Sequence, residues 1–394
     1  MTALQRLDQL VGEQASDLAR ILADHRAATF PPTAQKGFRR LTGAEVGKLL
    51  AVAESRVRQV ATDNGLGQLV NGRRSYSLED VTALRQALAS GERTRDRYLP
   101  GRRQGEGLQI ICTMNFKGGS GKTTTSAHLL QYLALHGYRA LGVDLDPQAS
   151  LSALFGIHSV IDLPPGATIY SALRYDDQRR PLRELIRPTY IPNLSFVPGG
   201  LELMEFEHET PRAFGASGGG GLVFDRLARS FQSVEEEFDV VVIDCPPQLG
   251  YLTLCGLIAA TSVVITVHPE MLDVMSMTQF LAMLADVTGV IFDALPERLR
   301  PNYSWMRYLL TRFEPNDGPQ AQMAALLRAR FGAFVMLNAT LKSTAISDAG
   351  LTNQTIYEID RSQFIRGTYD RAIESVDAVN REIEDLILKA WGRS

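Results

Sequence analysis

Apolar residues recur along the chain with two spacings, and these spacings separate the predicted helices from the predicted strands. From residue 108 onward, short runs rich in β-branched residues alternate with segments of helical period. Such alternation is typical of an α/β fold in which a mostly parallel sheet is flanked by helices. The predicted strands cover residues 108–114, 140–143, 194–198, 238–245, 261–267, 305–311 and 335–337. The predicted helices cover residues 126–135, 272–284, 320–330 and 361–390, and residues 341–344 and 349–350 are predicted as a late loop.

The first 36 residues carry a helical pattern of their own. Leucine, valine and isoleucine recur at helical spacing from Leu4 to Leu22, and Phe30-Pro31-Pro32 is expected to end the helix near residue 30. An isolated amphipathic helix must bury its apolar stripe somewhere. Two interpretations are therefore open, namely a self-association arm and a helix that packs on its own domain.

Turn and capping signals in residues 37–90 predict a separate winged helix-turn-helix domain. A capping box at Thr42 opens a short helix, and Ser55 is expected to cap the helix that follows it. Asn71-Gly72 predicts the tight turn of a hairpin. Ser77 is expected to cap a further helix. This order of elements resembles the DNA-reading unit of MerR-like regulators.

The polar side chains of this domain are suited to DNA. The second helix presents Arg56, Arg58 and Gln59, which can contact phosphates and base edges. Arg73 and Arg74 flank the hairpin turn, as basic residues in a wing would. A small helical protein-binding module with a solvated basic face is the alternative.

Charge is unevenly distributed along a chain whose net formal charge is −3. Basic residues outnumber acidic ones in residues 1–107, whereas residues 108–394 are acidic overall. The amino-terminal part is therefore the more obvious polyanion-binding part. Within it, residues 91–107 are rich in arginine and glycine and are predicted to form a mobile linker that can also touch phosphates.

Composition argues against several classes of protein. The 394 residues are 45% hydrophobic and 22% charged, as in soluble globular proteins. No apolar run is expected to reach the length of a membrane span, and the first residues lack the apolar core of a signal peptide. The three cysteines are expected to be reduced core residues of a cytosolic protein. The six histidines show no metal-ligand spacing, so no structural metal is expected.

A glycine-rich loop follows the first predicted strand of the α/β part. Its sequence, from Phe116 to Thr124, is close to a phosphate-binding signature, although Phe116 takes the place of the usual first glycine. Glycines let successive backbone N–H groups face one concavity, and the start of the following helix adds a positive dipole end. The residues expected to bind the nucleotide are Lys117, Gly118, Gly119, Ser120, Gly121, Lys122, Thr123 and Thr124.

Specific roles follow for several residues in and around this loop. Lys122 is expected to reach the β- and γ-phosphates of ATP, and the Thr123 hydroxyl is expected to ligate Mg²⁺. Asp244 stands at the carboxyl end of the run at residues 238–245, where open α/β sheets bind ligands. We expect Asp244 to hold the same Mg²⁺, directly or through water, and Asp146 completes the predicted metal set.

Three segments together resemble the deviant Walker A ATPases of the ParA/MinD superfamily. These segments are Phe116-Lys117-Gly118-Gly119-Ser120-Gly121-Lys122-Thr123-Thr124, Asp144-Leu145-Asp146-Pro147-Gln148 and Ile243-Asp244-Cys245-Pro246-Pro247. Residues 116–119, 271–277, 313–320 and 342–352 further resemble the RepA family, the ParA-type partition proteins of repABC plasmids. The resemblance covers nearly the full chain and implies a P-loop NTPase domain over residues 108–394.

The resemblance implies an ATPase that closes a sandwich dimer around ATP. Lys117, as the signature lysine, would cross the interface and supply positive charge to the partner's phosphates. Asp146 matches the family residue that positions or activates the attacking water. The predicted catalytic residues are therefore Lys117, Lys122 and Asp146, while Asp144 is expected to order the strand end and the loop.

The resemblance also implies partners. The ATP dimer would bind DNA without sequence preference, with Lys342 as the residue carried over for this contact, and hydrolysis would release it. A ParB-like partner, here RepB-like, would mark the plasmid's centromere and stimulate hydrolysis. The winged helix would repress the protein's own operon, and the protein would be cytoplasmic and associated with the nucleoid.

Three other functions share part of this pattern. A MinD-like positioning switch would need a basic amphipathic tail, whereas the polar face of the last predicted helix is mostly acidic, so that helix is expected to dock on the core. A reductase similar to nitrogenase iron proteins would need two cysteine ligands, and only Cys245 lies near the predicted site. A transcriptional repressor that binds ATP with little turnover stays open, although Lys117 and Asp146 favour hydrolysis.

Overall fold

A computed structural model describes residues 6–29, 36–70, 72–158, 162–216 and 221–393. The chain divides into two compact units, residues 1–37 and residues 38–394. The first unit contains the expected amino-terminal helix, α1 (Leu7–Thr29). The Phe30-Pro31-Pro32 segment that was expected to end this helix lies outside the described residues.

The second unit begins with a small three-stranded sheet and four helices. Its strand order is β1-β3-β2, with antiparallel pairing throughout. The elements are β1 (Leu41–Thr42), α2 (Gly43–Leu50), α3 (Glu54–Asp63), β2 (Gln68–Val70), β3 (Arg73–Tyr76), α4 (Leu78–Leu88) and α5 (Glu92–Tyr98). The predicted hairpin is confirmed, because Val70 pairs with Arg73 and Gly72 has a positive φ of 74°, whereas Asn71 lies outside the described part of the chain.

Local capping chemistry sets the helix boundaries in this region. The Thr42 capping box is present at the start of α2, and Ser77 forms a second box with Asp80 at the start of α4. The prediction that Ser55 caps α3 was wrong. Ala51 takes a left-handed conformation and the Val52 N–H bonds back to Gly47, so the turn is tighter than expected and α3 begins at Glu54.

Residues 91–107 differ from the mobile linker that was expected. They contain α5, and the Tyr98 side chain is buried in the core. The Arg102 backbone N–H donates to Asp239 over 3.0 Å, and its guanidinium donates to the Glu235 carbonyl. These contacts tie the segment to residues more than a hundred positions later in the chain.

A buried arginine links the small sheet region to the large one. Arg85 on α4 is almost fully buried, and its guanidinium donates to the carbonyl oxygens of Leu135 (2.5 Å) and Tyr98 (3.3 Å). Burial lowers the pKa of Arg85 to about 10, so the side chain stays charged at neutral pH. A buried charge of this kind is tolerated where carbonyl oxygens solvate it.

The larger part of the second unit is the predicted α/β layer structure. Its elements are β4 (Gln109–Met114), α6 (Lys122–Leu135), β5 (Ala140–Asp144), α7 (Ser150–Leu154), α8 (Tyr170–Leu173), β6 (Arg187–Pro188), β7 (Leu194–Val197), α9 (Leu203–Ala216), α10 (Gly221–Phe224), α11 (Arg226–Gln232), β8 (Val240–Asp244), α12 (Tyr251–Ala259), β9 (Ser262–Val267), α13 (Met271–Ala294), β10 (Trp305–Leu310), α14 (Gly318–Phe331), α15 (Thr344–Leu351) and α16 (Arg366–Ala390).

The strand order positions the functional loops. The seven-stranded sheet runs β10-β9-β4-β8-β5-β7-β6, and its pairs are parallel apart from the antiparallel β6-β7 pair. Successive strand residues point to opposite faces, so Ile111 and Cys112 enter separate apolar cores. Because β8 lies between β4 and β5, the carboxyl ends of these three strands meet at one edge of the sheet.

Several element predictions were wrong in detail. Residues 335–337 form no strand, because only Val335 pairs, through an isolated bridge to Tyr308. The segment at 349–350 is not loop but the end of α15. Strand β10 ends one residue before its predicted end, and α16 begins five residues later than predicted because Arg361–Gln363 forms a separate 3-10 turn. Helix α16 buries its apolar face in the core, as expected.

Helix α13 is longer than predicted and unusually exposed for its composition. It extends ten residues beyond the expected end at Leu284. Its exposed large apolar side chains are Met271, Leu272, Met275, Met283 and Val290. By length and composition alone, α13 could cross a membrane, which contradicts the expectation that no apolar run is long enough. One helix of this kind is weak evidence, and no membrane role is assigned to it.

Candidate nucleotide-binding site

The glycine loop joins the end of β4 to the start of α6. Gly119 and Gly121 have φ angles of 76° and 85°, which residues with a Cβ rarely adopt. A Cβ on Gly121 would also lie 3.3 Å from the Thr311 side chain. The loop therefore depends on glycine at position 121 for both its backbone conformation and its packing, as expected of a backbone that cradles phosphate.

Lys122 occupies the first turn of α6 with its side chain buried. Its Nζ donates to the Lys117 carbonyl oxygen over 3.2 Å. Burial lowers the pKa of Lys122, and the negative charges of Asp244 and Asp146 oppose that shift. A cation held at the mouth of the loop by a single carbonyl can exchange this contact for a phosphate oxygen.

Asp244 is fully buried at the end of β8, where three hydroxyl groups surround it. Thr123 Oγ1 donates to one carboxylate oxygen over 2.7 Å, and Ser126 Oγ donates to the other over 3.1 Å. Thr113 Oγ1 lies 3.4 Å from the second oxygen. The predicted proximity of Thr123 and Asp244 is present, and Ser126 is a contributor that the sequence analysis missed. Its position four residues after Lys122, on the same helix face, is the signal that could have identified it.

Two further carboxylates follow β5. Asp144 lies opposite Asp244 in the strand register and accepts hydrogen bonds from the backbone N–H groups of Asp146 (3.1 Å) and Ser152 (2.8 Å). It orders the strand end and the following loop, as expected. Asp146 accepts from the Gln148 N–H over 2.9 Å, and its side chain is nearly buried. Asp146 therefore faces the site from a fixed loop.

The three acids at this edge of the sheet all have pKa values above the ordinary value for aspartate. Burial raises the pKa of Asp244 to about 6. Burial and the neighbouring charge of Asp244 raise the pKa of Asp144, and burial raises that of Asp146. Hydroxyl and carboxylate oxygens are the ligands that Mg²⁺ prefers. A divalent cation held by Thr123 and Asp244 fits this site, because it would compensate the negative charge that is buried there.

Lys117 contacts a residue that the sequence analysis did not single out. Its ammonium forms an ion pair with Oδ1 of Asp273, in the first turn of α13. The other carboxylate oxygen of Asp273 lies 3.3 Å from Nδ1 of His268, and His268 Nε2 lies 3.6 Å from Glu270. The three side chains at 268, 270 and 273 are close enough to share a cation, a grouping that the sequence analysis did not expect. Lys117 already supplies positive charge to it.

The remaining loop contacts come from β9 and from the two residues that follow β10. Thr311 Oγ1 donates to the Ser120 carbonyl over 2.7 Å, and Thr266 Oγ1 donates to the Ser120 hydroxyl over 3.0 Å. Arg312 donates to the Gly119 carbonyl over 3.2 Å. These hydrogen bonds hold the loop in position. No sequence motif predicted the residues that make them. Thr124 follows Thr123 in α6, and its carbonyl bonds to the ring of a buried histidine at position 128.

The residues predicted to contact operator DNA lie on α3 and the hairpin. Arg56, Arg58 and Gln59 are exposed on α3, where Arg56 donates to Gln59 and Arg58 pairs with an acid on its own helix. Arg73 is exposed on β3, whereas Arg74 folds back onto α3. The Arg74 guanidinium lies 3.2 Å from the hydroxyl of residue 62 and 3.3 Å from the carbonyl oxygen of residue 66.

Lys342 lies apart from that surface and near the nucleotide loop. It is half-exposed and pairs with Glu314 over 2.7 Å. Burial lowers the pKa of His268, and the positive charges of Arg312, Lys117 and Lys342 lower it further. Lys342 and Lys117 therefore act on the same histidine, although their own ion pairs are with Glu314 and Asp273.

The chain is similar in sequence to known partition proteins. A family model described as "AAA domain" matches residues 108–295. The chain is 52% identical over 391 residues to a protein of Rhizobium rhizogenes named "Putative replication protein A", which covers 98% of this chain and 96% of that relative. It is 35% identical over 227 residues to the chromosome partitioning protein ParA of Myxococcus xanthus, which covers 57% of this chain and 71% of that one.

A solved structure described as "Partition Protein" shares the fold. The match has a TM-score of 0.65 at 18% identity and covers 98% of this chain and 100% of that one. At this identity, the likeness concerns the fold alone. Its extent includes the small amino-terminal elements as well as the α/β part.

Proposed function

The chain belongs to the ParA/MinD superfamily as a RepA-like partition protein, and we propose that it is an ATPase that moves plasmid copies apart by an ATP-dependent cycle of dimerisation and DNA binding. The observation that carries this proposal is the convergence of Lys122, Thr123 and Asp244 at one edge of the sheet, with Thr123 and Asp244 2.7 Å apart. Such a hydroxyl–carboxylate pair beside a phosphate loop is suited to magnesium-bound ATP.

The residues divide the work of phosphoryl transfer. The backbone N–H groups of the loop and the start of α6 bind the phosphates, and Lys122 gives up its contact with the Lys117 carbonyl to reach them. Thr123 and Asp244 would hold Mg²⁺, which would supply charge neutralisation at the phosphates. Asp146 orients the attacking water from its fixed position after β5. Lys117 of the partner subunit adds the positive charge that the separating phosphate requires.

Two surfaces of the chain serve DNA in this proposal. The exposed side chains on α3, together with Arg73, read the operator of the protein's own operon. The dimer binds DNA without sequence preference through a second surface that includes Lys342. A ParB-like protein bound at the plasmid's centromere stimulates hydrolysis and releases the DNA. These assignments place the protein on the nucleoid while ATP is bound.

The Asp146→Ala variant tests the enzymatic part of this proposal. We expect it to bind ATP and to dimerise as the unaltered protein does, while phosphate release falls at least about a hundredfold because water is no longer positioned. Phosphate release should be measured with DNA alone, with the ParB-like partner alone and with both. Asp286→Ala removes an exposed acid from α13 and serves as the matched control, which should leave every rate unchanged.

Two results would contradict the proposal. Undiminished phosphate release by Asp146→Ala would remove the role given to this residue. A slow rate in the unaltered protein that neither DNA nor the partner raises would instead favour a repressor that binds ATP as a ligand.

A further inference from the structure

We propose that the Asp273 carboxylate holds Lys117 within its own subunit until a second subunit binds, and that this contact sets the protein concentration at which two subunits pair. The inference rests on the proposed function, because it concerns the lysine that is assigned to the partner's nucleotide. Its subject is the contact that Lys117 makes within its own chain before any partner arrives.

The geometry of Asp273 favours a holding role. Its side chain is only 8% exposed, whereas that of Lys117 is 45% exposed. The Lys117 ammonium sits on one carboxylate oxygen, and His268 Nδ1 lies 3.3 Å from the other. A carboxylate this deeply buried is costly without a cation. Lys117 therefore contributes to the folding of α13 onto the sheet when it is not engaged elsewhere.

The segment that carries Lys117 is held at further points. The Phe116 ring stacks on Phe280 of α13, with centroids 5.3 Å apart and an angle of 18° between the rings. Asn115 donates to the Thr266 carbonyl over 2.5 Å and accepts from the Lys117 N–H over 3.0 Å. The loop is thus attached to β9 and α13 immediately before Lys117, and the flexible glycines follow immediately after it.

Nucleotide binding acts on this arrangement through Lys122. The Lys122 ammonium donates to the carbonyl oxygen of Lys117 itself over 3.2 Å. A phosphate that draws Lys122 away removes that contact from the Lys117 backbone. A Cβ placed at Gly118 would meet nothing within 4 Å, so the backbone beside Lys117 has room to turn. Phosphate binding therefore loosens the residue that must next cross to another subunit.

Release of Lys117 from Asp273 costs free energy. When the ammonium leaves, Asp273 is buried without its ion-pair partner, and the free energy must come from contacts at the subunit interface. Exposed apolar side chains beside Asp273, namely Met271, Leu272 and Met275, are available to supply part of it on burial. In this proposal, stable pairing requires both the second subunit and the nucleotide.

The Asp273→Asn variant tests the inference, because it keeps the shape of the side chain and removes its charge. With a non-hydrolysable ATP analogue and Mg²⁺, we expect half-dimerisation at a roughly three- to tenfold lower protein concentration than for the unaltered chain. Sedimentation velocity over a concentration series gives this midpoint. Asp286→Asn, the same change at an exposed position of α13, should leave the midpoint unchanged.

The lower protein concentration for half-dimerisation must also depend on Lys117. In a Lys117→Ala background, the Asp273→Asn change should give no gain, since there is no lysine left to release. Analogue affinity and the thermal midpoint should be measured for each variant to establish that it is folded. If Asp273→Asn does not fold, Asp273→Ser carries the same expectation, because it also removes the carboxylate.

The possible outcomes separate this inference from the proposed function. An unaltered chain that binds the analogue yet stays monomeric at every concentration would refute the sandwich dimer itself. An unaltered chain that dimerises, with variants at Asp273 that need equal or more protein to do so, would refute only the reserve role. The second result would assign Asp273 to the dimer contact instead.

Discussion

The buried charge of Asp244 is suited to metal binding but lowers the stability of the folded chain. Its carboxylate is fully buried, and its pKa is raised to about 6 chiefly by burial. A raised folded-state pKa means that the folded chain carries a cost whenever the group is ionised, so stability from this residue falls as pH rises above its ordinary value of 3.8. Groups perturbed in this way are typical of functional sites.

The Asp244→Asn variant should therefore be more stable and less active. We expect its free energy of unfolding at pH 7.5, without Mg²⁺, to rise by about 1–3 kcal/mol, since the buried charge is gone and an amide can still bond to Thr123. Urea unfolding with and without Mg²⁺-ATP measures both effects. Added Mg²⁺-ATP should stabilise the unaltered protein much more than the variant, and equal stabilisation of both would argue against a metal role for Asp244.

Mg²⁺ affinity should also depend on pH. The metal binds the ionised carboxylate, and the pKa of Asp244 in the metal-free chain is about 6. As pH falls from 7.5 to 5, protons compete with the metal, so the apparent dissociation constant for Mg²⁺ should rise about tenfold or more. Titration of Mg²⁺ at fixed nucleotide across this range gives the value at each pH. A constant value would place the metal away from this carboxylate.

Sequence patterns predicted residues whose roles follow from local motifs. Thr123 and Asp244 were expected to meet because each follows its own signature, and they lie 2.7 Å apart. Asp273 and Arg312 could not be assigned a contact in this way. Their contacts with Lys117 and Gly119 depend on how α13 and the end of β10 pack against the loop, and sequence spacing does not encode such long-range placement.

At the scale of elements, the two arginines of the hairpin have different surroundings, which suit one to contact with DNA and the other to holding the hairpin in place. Arg73 is exposed, whereas Arg74 reaches the end of α3 and the loop after it. Both were predicted to bind DNA on the strength of the same turn signal. Their surroundings now predict different consequences of substitution.

Arg73→Ala should weaken operator binding without changing thermal stability. If Arg73 contacts one phosphate, the slope of log affinity against log salt concentration should fall by about 1. Arg74→Ala should lower stability by about 1 kcal/mol as well, because two hydrogen bonds that hold the hairpin to α3 are lost. Thermal unfolding and a salt series of DNA-binding measurements distinguish the two variants. Equal stability losses in both would contradict the bracing role of Arg74.

Element boundaries were predictable where a cap was present and uncertain where none was. Thr42 and Ser77 marked α2 and α4 correctly because their side chains bond to the first turn. The end of α13 was placed ten residues too early, since neither proline nor a capping residue falls where the apolar pattern changes. The segment at 335–337 has strand-like residues, but only one of them finds a pairing partner.

At the scale of the whole molecule, Arg85 connects the region of the small three-stranded sheet with the α/β part. We expect Arg85→Met to leave the phosphate loop intact but to reduce any dependence of operator affinity on bound nucleotide. The methionine is shorter but keeps an unbranched apolar stem, and it loses the donors to Leu135 and Tyr98. Operator affinity should be measured without nucleotide, with ADP and with ATP. Unchanged ratios between these three conditions would show that Arg85 carries no coupling.

The position of Arg85 has a consequence for regulation, because α6 begins at Lys122 and ends at Leu135, whose carbonyl oxygen Arg85 holds. At 1.5 Å per residue, this single helix spans about 21 Å between the glycine loop and the contact with Arg85. If bound nucleotide changes the affinity for operator DNA by some factor, operator DNA must change the affinity for nucleotide by the same factor. Under the proposed function, the ratio of ATP to ADP in the cell would govern how often the protein's own operon is transcribed.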